Sequence, residues 1–223
     1  MSGEPLPSRS FLALPDAEAL ADLATFVGRA RRVDPDGACR LIASGGVLAA
    51  YVSPVHGGGG PTVLGLRVLA LAAPADVDAT VELAALLDRV PRVAPDGNSA
   101  ELPLPPAAAV AAWAGVAPPR SGWDAVGLLE PAALRASAAD GVREIAAGVP
   151  EGAGAQVVAR LRGQVWGRPV TPDLPDVPAG AAFAADALGF LDADEPVALY
   201  RSGPWVRATT RRGHILARRP SLL

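Results

Sequence analysis

The chain contains no lysine: all 20 basic residues among its 223 are arginines. Schiff-base catalysis, lysine-bound pyridoxal phosphate and the Walker A phosphate loop all need a lysine amine, so the sequence excludes these classes unless a partner chain supplies one. The single cysteine, Cys39, rules out a disulfide within the chain and a zinc site built on paired cysteines. Two histidines cannot form a three-histidine metal centre. We therefore expect no metal and no cofactor.

Long hydrophobic runs are also missing. Arg67 interrupts PTVLGLRVLALAAPA, and prolines break PPAAAVAAWAGVAPP at both ends, so neither run reaches the ~20 apolar residues that span a bilayer. The first residues, MSGEPLPSRS, do not have the basic region and apolar core of a secretory signal. The sequence therefore predicts a cytoplasmic protein with no membrane contact.

The composition is that of a globular protein, with 50% hydrophobic and 19% charged residues. Most of the apolar residues are alanine, valine and leucine, and only 4% of the chain is aromatic, so helices can pack closely. The excess of alanine, glycine, proline and arginine is typical of a high-GC bacterial genome. This length suits a single α+β domain, which we divide into two lobes at residues 1–104 and 105–223.

The first lobe is predicted to combine helices with antiparallel strands. A helix follows the N-cap Asp16, with its apolar stripe at Leu20, Leu23, Phe26, Val27 and Ala30. The segments CRLIAS and VLAAYV read as two strands that turn at Gly45–Gly46. We predict a further strand in TVLGLRVLAL, a helix in DVDATVELAALLDRV, and a hairpin in RVAPDGNSAELPL that turns at Asp96–Gly97.

The second lobe is predicted to hold three helices followed by a three-stranded meander. The helices are EPAALRASAADGVREIAAG, GAGAQVVARLRGQVW and AGAAFAADALGFL, the first with Pro131 in its first turn. The meander, EPVALYRSGPWVRATTRRGHILARR, turns at Gly203–Pro204 and at residues 211–212. Two proline-rich connectors, WAGVAPPRSGW and GRPVTPDLPDVPAG, join these elements.

The two ends of the chain resemble each other. DPDGACRLIASGGVLAAYV, from Asp34, aligns without gaps on DADEPVALYRSGPWVRATT, from Asp192, and each copy follows an amphipathic helix. His56 and His214 are separated by the same offset. We interpret this pattern as a pseudo-duplicated helix-plus-hairpin unit.

The C-terminal meander has one apolar and one basic face, because side chains alternate along a strand. The residues expected to face inward are Val197, Leu199, Val206, Ala208, Ile215 and Ala217. The outward set contains Thr209, Leu216 and our candidate ligand-binding residues, which are Tyr200, Trp205, Arg207, His214 and Arg218, with Arg211 and Arg212 at the turn. In the first copy, the same pattern buries Cys39 as an inert core thiol. The other residues expected to face inward there are Leu41, Leu48, Ala50 and Val52, and those expected to face outward are Arg40, Ile42, Val47 and Tyr51.

This basic face has two interpretations. It can be the solvated side of a half-buried sheet, with Trp205–Arg218 and Tyr200–Arg207 cation–π contacts. Alternatively, its aromatics and arginines can bind a nucleic acid or an anionic ligand. The pI of 5.4 argues against a nonspecific nucleic-acid binder.

Four other motifs each have an ordinary and a functional interpretation. HGGGGP at 56–61 leads into a strand, which favours a hairpin connection over a phosphate loop. Two acidic clusters contain either solvated acids or Mg²⁺ ligands: Asp34 and Asp36 form the first, and Asp192, Asp194 and Glu195 form the second. The two histidines are ordinary strand-end residues or catalytic bases. Trp113 and Trp123 either cap the core or line a ligand groove.

Three stretches, VWGRP, AGAAFAADALGFL and PWVRATTRRGHILARR, resemble parts of an uncharacterised protein family of high-GC bacteria. The resemblance implies no activity, cofactor or catalytic residue. Three hypotheses for the function stay open. The first is a non-enzymatic protein that acts through protein–protein contacts, including a homodimer. The second is a binder of nucleic acid or of an anionic ligand, and the third is an enzyme of unidentified class that uses the histidines and acidic connectors.

Overall fold

A computed structural model describes residues 11–90, 100–106, 108–150 and 152–218. The chain folds as an α+β protein, as predicted. The strands are β1 Phe11–Leu14, β2 Ala38–Val55, β3 Thr62–Glu82, β4 Ala100–Pro103, β5 Asp124–Leu129, β6 Val197–Ser202, β7 Trp205–Thr210 and β8 Gly213–Arg218. The helices are α1 Ala17–Val33, α2 Leu83–Leu87, α3 Pro131–Gly148, α4 Ala155–Gly167 and α5 Ala179–Ala187.

One antiparallel six-stranded sheet, in the order β2-β3-β8-β7-β6-β5, organises the fold. The pairing of β3 with β8, over Thr62–Leu66 and His214–Arg218, brings strands from the two halves of the chain into one sheet. A separate two-stranded ribbon pairs β1 with β4. The inner face of the large sheet packs against helices, and most of the hydrophobic core lies there.

Helix α1 forms as its sequence predicts. The Asp16 carboxylate accepts a hydrogen bond from the Ala19 backbone N–H at 2.8 Å, which satisfies one of the free donors of the first turn. The five residues of the predicted apolar stripe are all buried. Helices α3, α4 and α5 also lie where they were predicted, and Pro131 occupies the first turn of α3.

The predicted turn at Gly45–Gly46 is wrong. β2 runs through this point as one strand, and its pairing with β3 has an irregularity between Gly45 and Val47. Before the irregularity the odd-numbered residues Cys39 and Leu41 are buried, and after it the even-numbered residues Leu48 and Ala50 are buried. The irregularity therefore shifts the alternation by one residue. The inward-facing residues of β2 were therefore predicted correctly, although the turn predicted between them does not exist.

The helix predicted in DVDATVELAALLDRV is wrong for its first seven residues, which form a strand. β3 extends to Glu82, and only Leu83–Leu87 is helical. Residues 75–82 pair with the first part of β2, from Ala38 to Gly45. Their exposure alternates because successive side chains of a strand point to opposite faces. The predicted hairpin turn at Asp96–Gly97 lies outside the described residues.

The C-terminal meander is confirmed: β6, β7 and β8 pair in sequence, with turns at 203–204 and 211–212. A helix and a hairpin thus occur at both ends of the chain, but Ser44–Gly45 lies within a strand whereas Ser202–Gly203 lies at a turn. The duplication therefore stays a prediction. In the described part of the chain, no helix is long and apolar enough to cross a membrane.

Candidate functional site

The two faces of the meander are divided as the alternation predicts. All six residues expected to face inward are buried. Cys39 of β2 is fully buried as well, and this burial raises the pKa of its thiol to about 12. Such a thiol stays protonated at neutral pH and is a poor nucleophile, so the interpretation of Cys39 as a core residue agrees with the structure.

The outer face of the sheet is partly covered rather than open. Residues 108–123, which include the first proline-rich segment WAGVAPPRSGW, cross this face; we call them the connector. The connector places Trp113 against Leu64, Trp205 and Leu216. Trp205 is only 4% exposed, although it was predicted to lie on a solvated surface. The connector thus supplies a small second core, and burial of Trp205 removes it from contact with a large ligand such as nucleic acid.

Arg207 lies between two aromatic rings on this face. Its guanidinium carbon is 4.6 Å from the centroid of the Trp123 ring and 4.5 Å from that of Tyr200. The predicted Tyr200–Arg207 contact is therefore present. Trp205 and Arg218 lie opposite each other on β7 and β8, but the described residues show no cation–π contact between them. Burial lowers the pKa of Arg207, and its Nε is buried with no hydrogen-bond acceptor in the described part of the chain.

The two arginines at the β7–β8 turn are paired with acids. Arg211 Nε donates to Glu195 at 2.6 Å, and Arg212 donates to Asp192 at 3.1 Å. The Ala193 backbone N–H and the Arg212 guanidinium hold the pKa of Asp192 below its ordinary value. The acidic segment before β6 thus neutralises cations that the sequence suggested for anion binding. Asp192 and Glu195, for which Mg²⁺ binding was the alternative interpretation, are their counter-ions.

His214 is half-buried in the middle of the outer face. It lies opposite Leu66 on β3 and Thr209 on β7, and its Nδ1 is 3.1 Å from the Thr209 hydroxyl oxygen. Burial lowers the pKa of His214, and the charges of Arg207 and Arg67 lower it further. The imidazole is consequently neutral at pH 7, and in the part of the chain that the structure describes no carboxylate is bonded to it that could orient it as a catalytic base.

A cleft of about 100 Å³ lies between the connector and the β2–β3 end of the sheet. We call it the connector cleft; its lining includes Ile42, Tyr51, Leu64, Trp113, Pro118 and Arg120. At one end, Arg40 donates to both Asp78 oxygens, from Nε at 2.8 Å and from Nη2 at 2.7 Å, and also to the Ala114 carbonyl. The ion pair joins β2 to β3, and the hydrogen bond to Ala114 attaches the connector to the sheet.

The HGGGGP segment is the connection between β2 and β3, as predicted. It packs against the backbone of α4 so closely that a Cβ on Gly58 would lie 2.2 Å from the Ala159 carbonyl oxygen. Beside it lies a cavity of about 220 Å³, the glycine-loop cavity, whose lining includes Asp34, His56 and Arg162. No group of three or more potential metal ligands occurs among the described residues.

The sequence did not show which residues come together to line each of the two cavities. Arg40 and Tyr51 were expected to face outward, but Asp78 was assigned to a helix, so its pairing with Arg40 was hidden. Arg120 lies in a proline-rich segment whose path no local pattern specifies. Asp34 and His56 were considered singly, and nothing in the sequence indicates that α4 brings Arg162 beside them.

Comparison with known families assigns no activity. Residues 8–115 match the model of a family described as a domain of unknown function, DUF8010, and residues 118–222 match a second one, DUF8185. These matches support the predicted resemblance to an uncharacterised family. No curated protein matches the chain. The boundary between the two matched regions falls within the connector that covers the sheet.

Proposed function

We propose that this protein binds a small organic anion with an apolar body in the connector cleft. The observation that carries the proposal is a pair of donors at one cleft that have no partner among the described residues. Among the described residues, neither the Arg120 guanidinium nor the Tyr51 hydroxyl has a hydrogen bond or an ion pair. Arg40 differs, because its donors are already engaged by Asp78 and Ala114.

The electrostatics of the cleft favour an anion over a neutral ligand. Asp78 neutralises Arg40, whereas Arg120 forms no ion pair with any described residue. Burial raises the pKa of Tyr51, while Arg120 and Arg40 oppose that rise; the phenol therefore stays protonated and can donate. A carboxylate can accept hydrogen bonds from both groups while its apolar part contacts Ile42, Leu64 and Trp113.

The size of the cleft favours a small molecule over nucleic acid. The alternative of a nucleic-acid platform needs an open outer face, but Trp205 and Leu216 lie beneath the connector. At the turn, Arg211 and Arg212 are engaged by acids. A small carboxylic acid needs only the cleft, so it is the version of the anion hypothesis that fits this surface.

Titration with benzoate and with its neutral counterpart benzamide, followed by NMR or calorimetry, tests the proposal. We expect saturable binding of benzoate and at least about tenfold weaker binding of benzamide, because a hydrogen bond to a charged group contributes ~1.5–3 kcal/mol. Arg120→Ala should weaken benzoate binding about tenfold, and Tyr51→Phe should weaken it less. Arg31→Ala, which removes an exposed arginine of α1, is the control. The proposal fails if benzoate does not bind at millimolar concentration or if Arg120→Ala has no effect.

Protein–protein contact, as a homodimer, is a second candidate function, and a specific observation favours it. β5 ends the sheet, and five of its six residues are exposed, including Val126 and Leu128, which is 66% exposed. Asp124 is the only charge on this strand, so little opposes pairing of its free edge with another strand. An antiparallel β5–β5 pair about a twofold axis would use the same edge of both copies.

Sedimentation velocity over a range of concentrations tests the dimer. Wild type should sediment as a dimer, and Leu128→Arg should sediment as a monomer because the charge would lie against the partner strand. Val157→Arg replaces an exposed apolar residue on α4 instead, and it should leave the dimer intact. A monomeric wild type, or a dimeric Leu128→Arg variant, would refute pairing through β5.

The arginine bias supports a high-GC bacterial source, and a single unpaired cysteine suits the reducing conditions of the cytoplasm. A high-GC bacterial source and a cytoplasmic location are therefore part of the proposal.

A further inference from the structure

The glycine-loop cavity lies where three segments meet: the end of α1, the loop after β2 and one face of α4. Asp34 and His56 come from the first matched family region, and Arg162 comes from the second. Ligand sites occur preferentially at such junctions between structural units. The cavity is separate from the connector cleft and shares no lining residue with it.

His56 presents one defined nitrogen for recognition. Its Nδ1 lies 3.2 Å from the Ser53 carbonyl oxygen, which can only accept a hydrogen bond, so Nδ1 carries the proton. In the neutral ring, Nε2 therefore keeps its lone pair. Among the described residues, Nε2 has no hydrogen-bond partner. The backbone contact thus fixes the tautomer and leaves an acceptor available.

Asp34 and Arg162 add one charge of each sign. Asp34 caps α1 through its backbone N–H, which donates to the Ala30 carbonyl, so its carboxylate is not needed for the cap. Within the described part of the chain, neither Asp34 nor Arg162 forms an ion pair or a side-chain hydrogen bond. The cavity thus combines an available carboxylate, an available guanidinium and a neutral acceptor nitrogen.

The wall of the cavity holds these groups in place. Gly60 lies against α4 at Gly163, since a Cβ on Gly60 would be 2.6 Å from the Gly163 Cα atom. This backbone contact leaves the glycine loop little room to move relative to α4, and it holds His56 near Arg162. Val33, Val55 and the buried Trp166 supply apolar surface in the same lining.

From this arrangement we propose that the glycine-loop cavity binds a small zwitterion, an α-amino acid with a short apolar side chain. Arg162 binds the carboxylate, while Asp34 and the Nε2 atom of His56 accept hydrogen bonds from the ammonium group. Val33 and Val55 contact the side chain. A zwitterion matches both charges of the cavity, whereas a ligand of one sign would leave Asp34 or Arg162 without a partner.

Titration of ¹⁵N-labelled protein with L-valine and two matched analogues tests the proposal. Isovalerate has the same carbon skeleton as L-valine but no ammonium group, and isobutylamine lacks the carboxylate. We expect saturable shifts with L-valine and at least about tenfold weaker binding of each analogue, since each loses a charged hydrogen-bonding group. Equal affinity for L-valine and isovalerate would overturn the zwitterion proposal, as would an absence of saturable L-valine binding.

Charge-specific variants provide the second arm of the test. Arg162→Ala should weaken L-valine and isovalerate by about tenfold but leave isobutylamine unchanged. Asp34→Asn should weaken L-valine and isobutylamine but not isovalerate. Arg160→Ala, an exposed arginine of the same helix, and Arg120→Ala, in the connector cleft, should not alter L-valine binding. L-valine affinity that is unchanged in both Arg162→Ala and Asp34→Asn would overturn the proposal, independently of the benzoate result.

Discussion

His214 is a neutral residue in a cationic environment. It is half-buried, and Arg207 and Arg67 are the charges that act on it, so its protonated form is disfavoured in the folded protein. The unfolded chain has no such environment, and its imidazole takes up a proton near the ordinary pKa of 6.5. Because the folded pKa is the lower of the two, the unfolded state binds more protons as the pH falls below 6.5.

We therefore expect His214 to reduce stability in mild acid. The free energy of unfolding should fall between about pH 7 and about pH 5 in wild type, and it should fall less steeply in His214→Gln. Urea denaturation of both proteins across this range measures the difference, since changes at other residues are common to both. Parallel pH profiles would show that His214 titrates alike in the folded and unfolded states.

The contact between the glycine loop and α4 depends on the absence of side chains on both elements. Gly163 lies inside α4, where glycine normally costs about 0.5–1 kcal/mol relative to alanine. A Cβ at this position would lie 2.5 Å from the Gly58 carbonyl oxygen, a backbone atom that cannot move without moving the loop. Close packing of two elements thus explains an unfavourable residue within a helix.

Two identical substitutions in different helices should have opposite effects. Gly163→Ala is expected to lower the free energy of unfolding by roughly 1–3 kcal/mol, because overpacking outweighs the helix propensity. In Gly28→Ala of α1, the new Cβ meets nothing within 4 Å, and we expect a gain of about 0.5–1 kcal/mol. Urea denaturation midpoints compare the two. A stabilising Gly163→Ala would contradict the close contact between the loop and α4.

The elements with strong local patterns could be predicted from the sequence. α1 has both a cap and an apolar stripe, and the meander alternates over three strands with clear turns. The end of β3 was missed even though Val77, Ala79 and Val81 alternate with polar residues. A helix-like leucine run follows directly, and only pairing with Ala38–Gly45, at the far end of the preceding strand β2, settles the conformation as a strand.

The candidate sites were less predictable than the elements, because they depend on how distant segments meet. The outward residues of β7 were identified, but not the connector that covers Trp205. Similarly, the group of Asp34, His56 and Arg162 depends on the docking of α4 beside the glycine loop. Alternation along a strand gives the face on which a residue lies, but it does not show what packs against that face.

At the scale of the molecule, the β3–β8 pairing joins the two matched family regions. Val63 lies opposite Ala217, both are buried, and the connector packs over the outer face of the same strands. Neither region can complete its part of the sheet without the other. We therefore expect the whole chain to unfold as one cooperative unit, as a single domain would.

Calorimetry and hydrogen exchange test this cooperativity. The full chain should show one transition with equal calorimetric and van't Hoff enthalpies, and amides of β2 and β7 should exchange with similar free energies of opening. Ala217→Pro removes a backbone donor from a central strand and should reduce protection in both regions. Arg143→Ala, on the exposed surface of α3, is the control and should change neither. Two separate transitions, or loss of protection confined to residues 118–218 in Ala217→Pro, would show that the two regions fold independently.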